Sequence, residues 1–291
     1  MSEKVTYNKH GMKPLSELTL LDRFLFSCAM EDPRILELSL RIIMGQELEL
    51  QDSPQTEKEF RTMPWLRSIR LDVFAVDLEE KLYNTEVQKK NTGNLLKRSR
   101  FYQALIDSSL LSPGEIDFNQ LPEVYLIMIA PFDLFGEGKY RYTFRMKCEE
   151  SEDLWLEDGV TRIFLNTRGS DPEGVSQELI DLLHYFETTS EQTAQASGSE
   201  AIQEIHSRVQ QLKESEQIGV RYMQEWEERA YEKMEAKEEG REEGREEGIR
   251  ALIEDNLEEG IGKERIIKKV MKRFLVTEQK AKEYYERFAA E

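Results

Sequence analysis

The chain has 291 residues, 39% hydrophobic and 34% charged, enough apolar material for one sizeable core but so polar that part of it must be an exposed helix or tail. Its 40 Lys and Arg against 58 Asp and Glu leave a net charge of −18, which excludes a generic basic coat for nucleic acid and restricts any contact with a polyanion to a local patch. Two distant cysteines, Cys28 and Cys148, lack metal-ligand spacing. With no apolar run approaching ~18 residues and no apolar N-terminal region, the expectation is a cytoplasmic protein without a membrane span.

In chain order, residues 1–14 read as a flexible lead-in. Residues 18–44 are helical in pattern: Leu21, Phe24, Leu25 and Cys28 share one face, and after the break at Asp32 and Pro33 the spacing resumes with Ile35, Leu38, Ile42 and Ile43. Gly45 is placed to end that second helix. The polar stretch 51–64, with Pro54 and Pro64, reads as a connection. Two β-rich runs follow at 68–77 and 81–88, joined by a short charged turn. Residues 92–111 predict a helix with Leu95, Ser99, Tyr102 and Ile106 on its buried stripe, stopped by the Ser-Pro-Gly at 112–114.

The continuous apolar run at 124–130 is that of a strand covered on both faces. Residues 140–147 alternate, with Tyr140, Tyr142, Phe144 and Met146 on one side; 160–166 is a further strand and 176–186 a helix. This order predicts a mixed α/β domain over 15–187. Residues 188–199 are rich in Ser, Thr, Gln, Ala and Gly and read as a linker. From 200 to 259 there is no proline, and Glu-Glu-Gly-Arg recurs between 238 and 250. Gly240, Gly244 and Gly248 drift around a helix surface there, at about 1 kcal/mol each against alanine. The segment is either a solvated helix or one for packing and self-association. A small helical hairpin at 260–291 closes the chain.

Strand side chains alternate faces, so Glu86 and Gln88 point the same way. A hairpin symmetric about Glu79 sets Asp72 opposite Glu86, because 72 + 86 = 2 × 79. Directly opposed residues hold their Cβ atoms ~4.5–5.5 Å apart. Two carboxylates at that distance either line a solvent-facing polar side or hold a hard cation such as Mg²⁺ between them. The chain's densest basic stretch, with Lys89, Lys90, Lys97, Arg98 and Arg100, follows at once. Beside a metal site it is where a phosphate backbone would dock. Histidines are few (His10, His184 and His206) and lie outside this core, which argues against a Ser-His-Asp engine. Without a Gly-rich GxxxxGK[ST] loop, no nucleotide cofactor is expected.

The runs RLDVFAVD, YNTEVQ, LLKRSRFYQALID and LPEVYLIMIAPFDLFGEGKYRYTF resemble the PD-(D/E)xK nuclease-family transposases, also called recombination-promoting nucleases. The resemblance begins at LTLLDRFLFSCAMEDPRILELSLRIIMG. It continues through LEDGVTRIFLNTRG to HSRV, YMQEWEERA and the Glu-Gly-Arg repeats, and so covers nearly the whole chain. It implies a restriction-endonuclease-like core that cuts DNA with Mg²⁺ or Mn²⁺, in recombination or mobile-element biology. Asp72 and Glu86 match the family's acidic positions as metal ligands. Gln88, the third catalytic position, stands where the superfamily has lysine and is placed to orient the attacking water or a phosphate oxygen, while Lys90, next on the same face, is the alternative substitute for that lysine. Lys90, Lys97, Arg98 and Arg100 are then the DNA-binding residues, and Asp22, on the first helix, is the candidate for a further acid. The other readings are a DNA-binding module with weak or no cleavage, and an assembly protein that forms homo-oligomers through its helical tail.

Overall fold

The structure, a computed structural model, describes residues 12–60, 69–111, 114 and 116–289. The expected lead-in lies mostly outside these residues, as do Ser112 and Pro113 of the helix stop. The described chain forms two compact units, one up to Tyr222 and one from Met223.

In the first unit α1 (Arg23–Met30) and α2 (Pro33–Met44) form the predicted pair. Proline at the first position of α2 is pre-shaped for a helix start, the Asp32 side chain accepts from the N–H groups of Arg34 and Ile35, and Gly45 ends the helix at φ 72°. Six strands make one sheet: β1 (Gln55–Phe60), β2 (Ile69–Val76), β3 (Leu82–Val87), β4 (Val124–Ala130), β5 (Arg141–Phe144) and β6 (Val160–Asn166), in the order β1-β2-β3-β4-β6-β5. The pairs β3–β4 and β4–β6 are parallel and the others antiparallel. The parallel step from β3 to β4 is bridged by α3 (Leu95–Leu110). Helices on both sides of a mixed sheet give the restriction-endonuclease-like α/β architecture that the resemblance implies.

The pleat sorts the side chains. Odd positions of the hairpin (Val73, Ala75, Tyr83, Val87) join Ile127, Ile129, Ile163 and Leu165 in the larger core, under α1, α2 and α4 (Gln177–Glu187). Even positions (Phe74, Leu82) join Leu126, Met128 and Phe164 beneath Leu95, Tyr102, Leu105 and Ile106 of α3. β4 is buried throughout, as its unbroken apolar run requires.

Three segments differ from the expectation. Within the polar stretch 51–64, read as a connection, residues Gln55–Phe60 form β1, paired with β2 at the sheet edge. An edge strand is held by backbone hydrogen bonds and tolerates charged side chains, so its sequence hides it. The regular strand after Tyr140 ends at Phe144, and Phe144 and Met146 are exposed, so the alternation outruns the buried face. The stretch read as a linker contains α5 (Glu191–Ala196), and Thr189 Oγ1 accepts the Leu20 N–H at 2.9 Å. Next, α6 (Glu200–Glu214) fully buries Ile202, Ile205 and Val209 in the larger core, so the compact unit continues past residue 187.

The 43-residue helix α7 (Glu216–Glu258) starts in the first unit, where the Tyr222 ring lies 4.8 Å from that of Phe24, tilted by 43°. In the second unit Ile249 and Ile253 of α7 pack with Ile266, Ile267 and Val270 of α8 (Lys263–Phe274) and with Ala281 and Phe288 of α9 (Glu278–Phe288). The repeat glycines are not equivalent: Gly240 and Gly244 face open space, whereas a Cβ on Gly248 would meet the Phe274 ring at 3.3 Å. Glycine at 248 thus permits a close helix contact. No described helix is long and apolar enough to cross a membrane.

Candidate active site

The site grows out of the β2–β3 hairpin. Every observed pair in it, from Val73↔Thr85 to Val76↔Leu82, sums to 158, the register symmetric about Glu79. The turn is tied by Asp77, which accepts from the N–H groups of Glu79 and Lys81 and, in the interior, from the Tyr83 hydroxyl. The same register carries Asp72 across from Glu86. The Asp72 N–H donates to Glu86 Oε1 at 2.8 Å, and the Val87 N–H donates to Asp72 Oδ2 at 3.3 Å. Both acids are 3% exposed, so these are interior carboxylates and not a solvated polar edge.

Burial is the main force on both, and it raises both pKa values. For Asp72 it is opposed by the Arg23 guanidinium and the Val87 N–H. Glu86 is raised well above the usual range, by burial and then by repulsion from Asp72, against the Asp72 N–H and the charges of Arg98 and Arg23. The pair is therefore under-compensated by the protein. Nearby, burial and the Glu86 carboxylate push the Tyr102 hydroxyl up to about 12.

Arg23, at the start of α1, was not foreseen. Its Nε lies 2.8 Å from Asp72 Oδ1, at ion-pair distance but off the direction of a hydrogen bond. Burial opposes its charge, but Asp72, Glu57 and Glu86 outweigh that and hold it cationic. Glu57 belongs to β1 and has φ 52°, the left-handed region that a glutamate seldom enters.

Gln88 points toward α3, as its even position requires. Its Oε1 accepts from Arg98 Nη2 at 2.5 Å, and its Nε2 donates to the Lys90 carbonyl at 2.6 Å. Arg98 is half-buried, lies 5.7 Å from the Tyr102 ring centre, and has a buried Nε with no hydrogen-bond partner. Lys90, Lys97 and Arg100 are exposed. Asn84, two residues before Glu86 on the same face, is fully buried with neither amide atom hydrogen-bonded.

Asp22 is held elsewhere. It occupies the N-cap position of α1 without a side-chain capping bond, and its carboxylate takes Lys89 Nζ at 2.5 Å, Lys13 Nζ at 3.3 Å and the Thr19 N–H at 3.0 Å. Burial works against its ionisation, but Lys89 and Thr19 lower its pKa on balance. The structure thus brings together Asp72, Glu86, Gln88 and Arg98 and leaves Asp22 at Lys89. Among the described residues no three Asp, Glu, His or Cys side chains group closely enough to hold a metal ion. The donor chemistry of two interior carboxylates fits a hard cation, which they would hold together with water or phosphate oxygens.

Sequence spacing held no signal for Arg23, whose partner lies far along the chain. The one clue was its place beside Asp22 on a helix already suspected of reaching the site.

The family model for PD-(D/E)XK nuclease family transposases matches residues 44–241, more than half of the chain. That segment holds the hairpin, both acids and α3, and is shorter than the resemblance read from the sequence, which began at Leu18. No curated protein and no solved structure matches the chain. With the nuclease-type sheet and its acid-bearing hairpin in place, the chain belongs to the PD-(D/E)XK nuclease family transposases.

Proposed function

We propose that the chain is a DNA endonuclease that hydrolyses phosphodiester bonds with Mg²⁺ or Mn²⁺. The observation that carries this reading is the buried pair Asp72 and Glu86, opposed across one hairpin and poorly neutralised by the protein. Asp72 and Glu86 are the residues that would hold the cation. A divalent ion there supplies polarisation of a phosphoryl oxygen and a bound water of lowered pKa. The two backbone N–H groups fix the orientation of the carboxylates, and burial keeps bulk water from competing with substrate oxygens. Gln88, clamped by Arg98 and the Lys90 carbonyl, presents no free charge and serves as a positioning group. Lys90, Lys97 and Arg100 are exposed near the start of α3, where they meet a phosphate backbone despite the repulsive overall charge.

Supercoiled plasmid incubated with purified protein and Mg²⁺ or Mn²⁺ tests the proposal. Nicking is expected from the wild type, none with chelator, and none from Asp72→Ala. Equal nicking by Asp72→Ala would remove these residues from the site.

A second reading, a binding module with weak or no cleavage, draws on the Arg23 contact, which already neutralises part of Asp72, and on the uncharged Gln88. It predicts salt-sensitive DNA retention with intact plasmid.

A further inference from the structure

We propose that Arg98 is the catalytic cation of this site, standing in for the lysine that position 88 lacks; the inference rests on the nuclease reading of Asp72 and Glu86. Glutamine has no charge to set against a phosphate. Its carbonyl oxygen is a hydrogen-bond acceptor, and here that acceptor is spent on a cation from another element. Gln88 Oε1 takes Arg98 Nη2 at 2.5 Å while its Nε2 is tied to the Lys90 carbonyl. The second bond decides the first, because it fixes which end of the amide faces α3. Gln88 is thus a seat that holds a guanidinium beside the acids.

Two of the neighbouring cations are otherwise engaged, and a third faces solvent. Arg23 is paired with Asp72, and Lys89 with Asp22. Lys90 is exposed, and its carbonyl turns back toward Gln88. Arg98 is half-buried, is oriented by the Tyr102 ring, and has a buried Nε–H that meets no acceptor among the described residues. Gln88 follows Glu86 by two residues on the same face, so the bond to Gln88 holds Arg98 on the side of the sheet that carries both acids. A guanidinium carries five N–H groups in a planar fork, so one can bind Gln88 while others reach a phosphate.

The chemistry is consistent. A water gives one proton to solvent and its oxygen forms a new P–O bond, the bond to the leaving oxygen breaks, and that oxygen takes a proton from solvent. Charge builds on the non-bridging oxygens in between, and Arg98 stabilises it by hydrogen bonds. Arginine stays protonated at working pH, so Arg98 contributes charge and no proton.

The test compares wild type, Arg98→Ala, Arg98→Lys and the double variant Gln88→Lys/Arg98→Ala. The readouts are kcat and KM for duplex cleavage with Mn²⁺, and Mn²⁺ binding by calorimetry without DNA. Arg98→Ala is expected to lose about 100-fold in kcat, the scale of one preorganised charge-stabilising donor, with KM little changed. It should bind Mn²⁺ at least as tightly as wild type, because a repelling charge is gone. Arg98→Lys should retain part of the rate. Gln88→Lys in the Arg98→Ala background should recover about tenfold, a lysine then standing at the superfamily position.

Wild-type kcat with a raised KM would overturn the proposal and leave Arg98 a docking residue. Loss of Mn²⁺ binding would show a structural role and overturn it equally, as would no recovery in the double variant. A fully active Arg98→Ala beside a dead Asp72→Ala sinks Arg98 alone. A wild type that never cuts sinks the nuclease reading and this inference with it.

Discussion

The two faces of the sheet make an instructive contrast. Under α1, α2, α4 and α6 the buried side chains from the strands carry no charge and are apolar apart from Thr85 and Thr161, with Ile127 and Ile163 wholly enclosed. Under α3 an apolar half, built on Leu126, Met128 and Ile106, gives way to Asp72, Asn84 and Glu86, all buried. Polar groups without partners are costly in an interior. Asn84 offers two unpaired atoms, Gln103 Oε1 is a third, and the Glu86 carboxyl is forced toward its neutral form. One face stores stability, and the other gives some up to hold charge where water is scarce.

The contrast is open to direct attack, beginning with the largest effect. Asp72→Asn keeps the size and one oxygen of the side chain, yet cleavage is expected to fall by about a thousandfold or more, the upper range for a preorganised electrostatic group. Circular dichroism should show an unchanged fold. Ile127→Ala, on the apolar face, should behave in the opposite way, losing about 2–5 kcal/mol in urea denaturation while still binding Mn²⁺. If it spared stability, the division of labour between the faces would fail.

Glu86→Gln probes the penalty itself. The Gln oxygen can still accept the Asp72 N–H, and a buried charge is removed, so in chelator the variant should melt a few degrees higher, about 2–4 °C per kcal/mol for a chain of this size. The pH dependence has a definite sign. The folded-state pKa of Glu86 is raised, so the folded protein holds its proton more tightly than the unfolded chain does. Stability from this group falls as pH rises from the unfolded value of about 4.3 toward the raised folded value. The advantage of Glu86→Gln should therefore grow as pH rises toward the raised folded value and shrink on acidification; an advantage independent of pH would remove the charge explanation. The smallest effect belongs to Arg100→Ala at the exposed start of α3. It should weaken duplex binding and lower the slope of log affinity against log salt by about one.

Legibility followed the range of the interactions. The hairpin register could be read in advance because a charged turn and two alternating strands sit side by side, and the pleat then dictates that residues 72 and 86 share a face. The stripe of α3 was equally plain, since Leu95, Ser99, Tyr102 and Ile106 are all buried at helical spacing. β1 was hidden because edge pairing asks little of side chains. In α6 the apolar trio Ile202, Ile205 and Val209 is diluted by glutamate, arginine and glutamine, so a core helix reads as a solvated one. Arg23 and the Arg98–Gln88 bond were out of reach because they join elements that only the finished sheet brings together.

The Thr189 hydroxyl that receives the Leu20 N–H, and the α6 residues buried behind α1, bear on the order in which the molecule is made. Both acids and all six strands have been synthesised by Asn166, but one wall around the helix that carries Arg23 comes from α6, beyond residue 200. A ribosome therefore releases the hairpin, with the bonds that join its two acids, well before it releases that wall, and the helix that carries Arg23 lacks its α6 neighbour until then. A chain halted at residue 199 should show this: it should resist Mn²⁺-dependent stabilisation in a thermal melt, although it contains both Asp72 and Glu86.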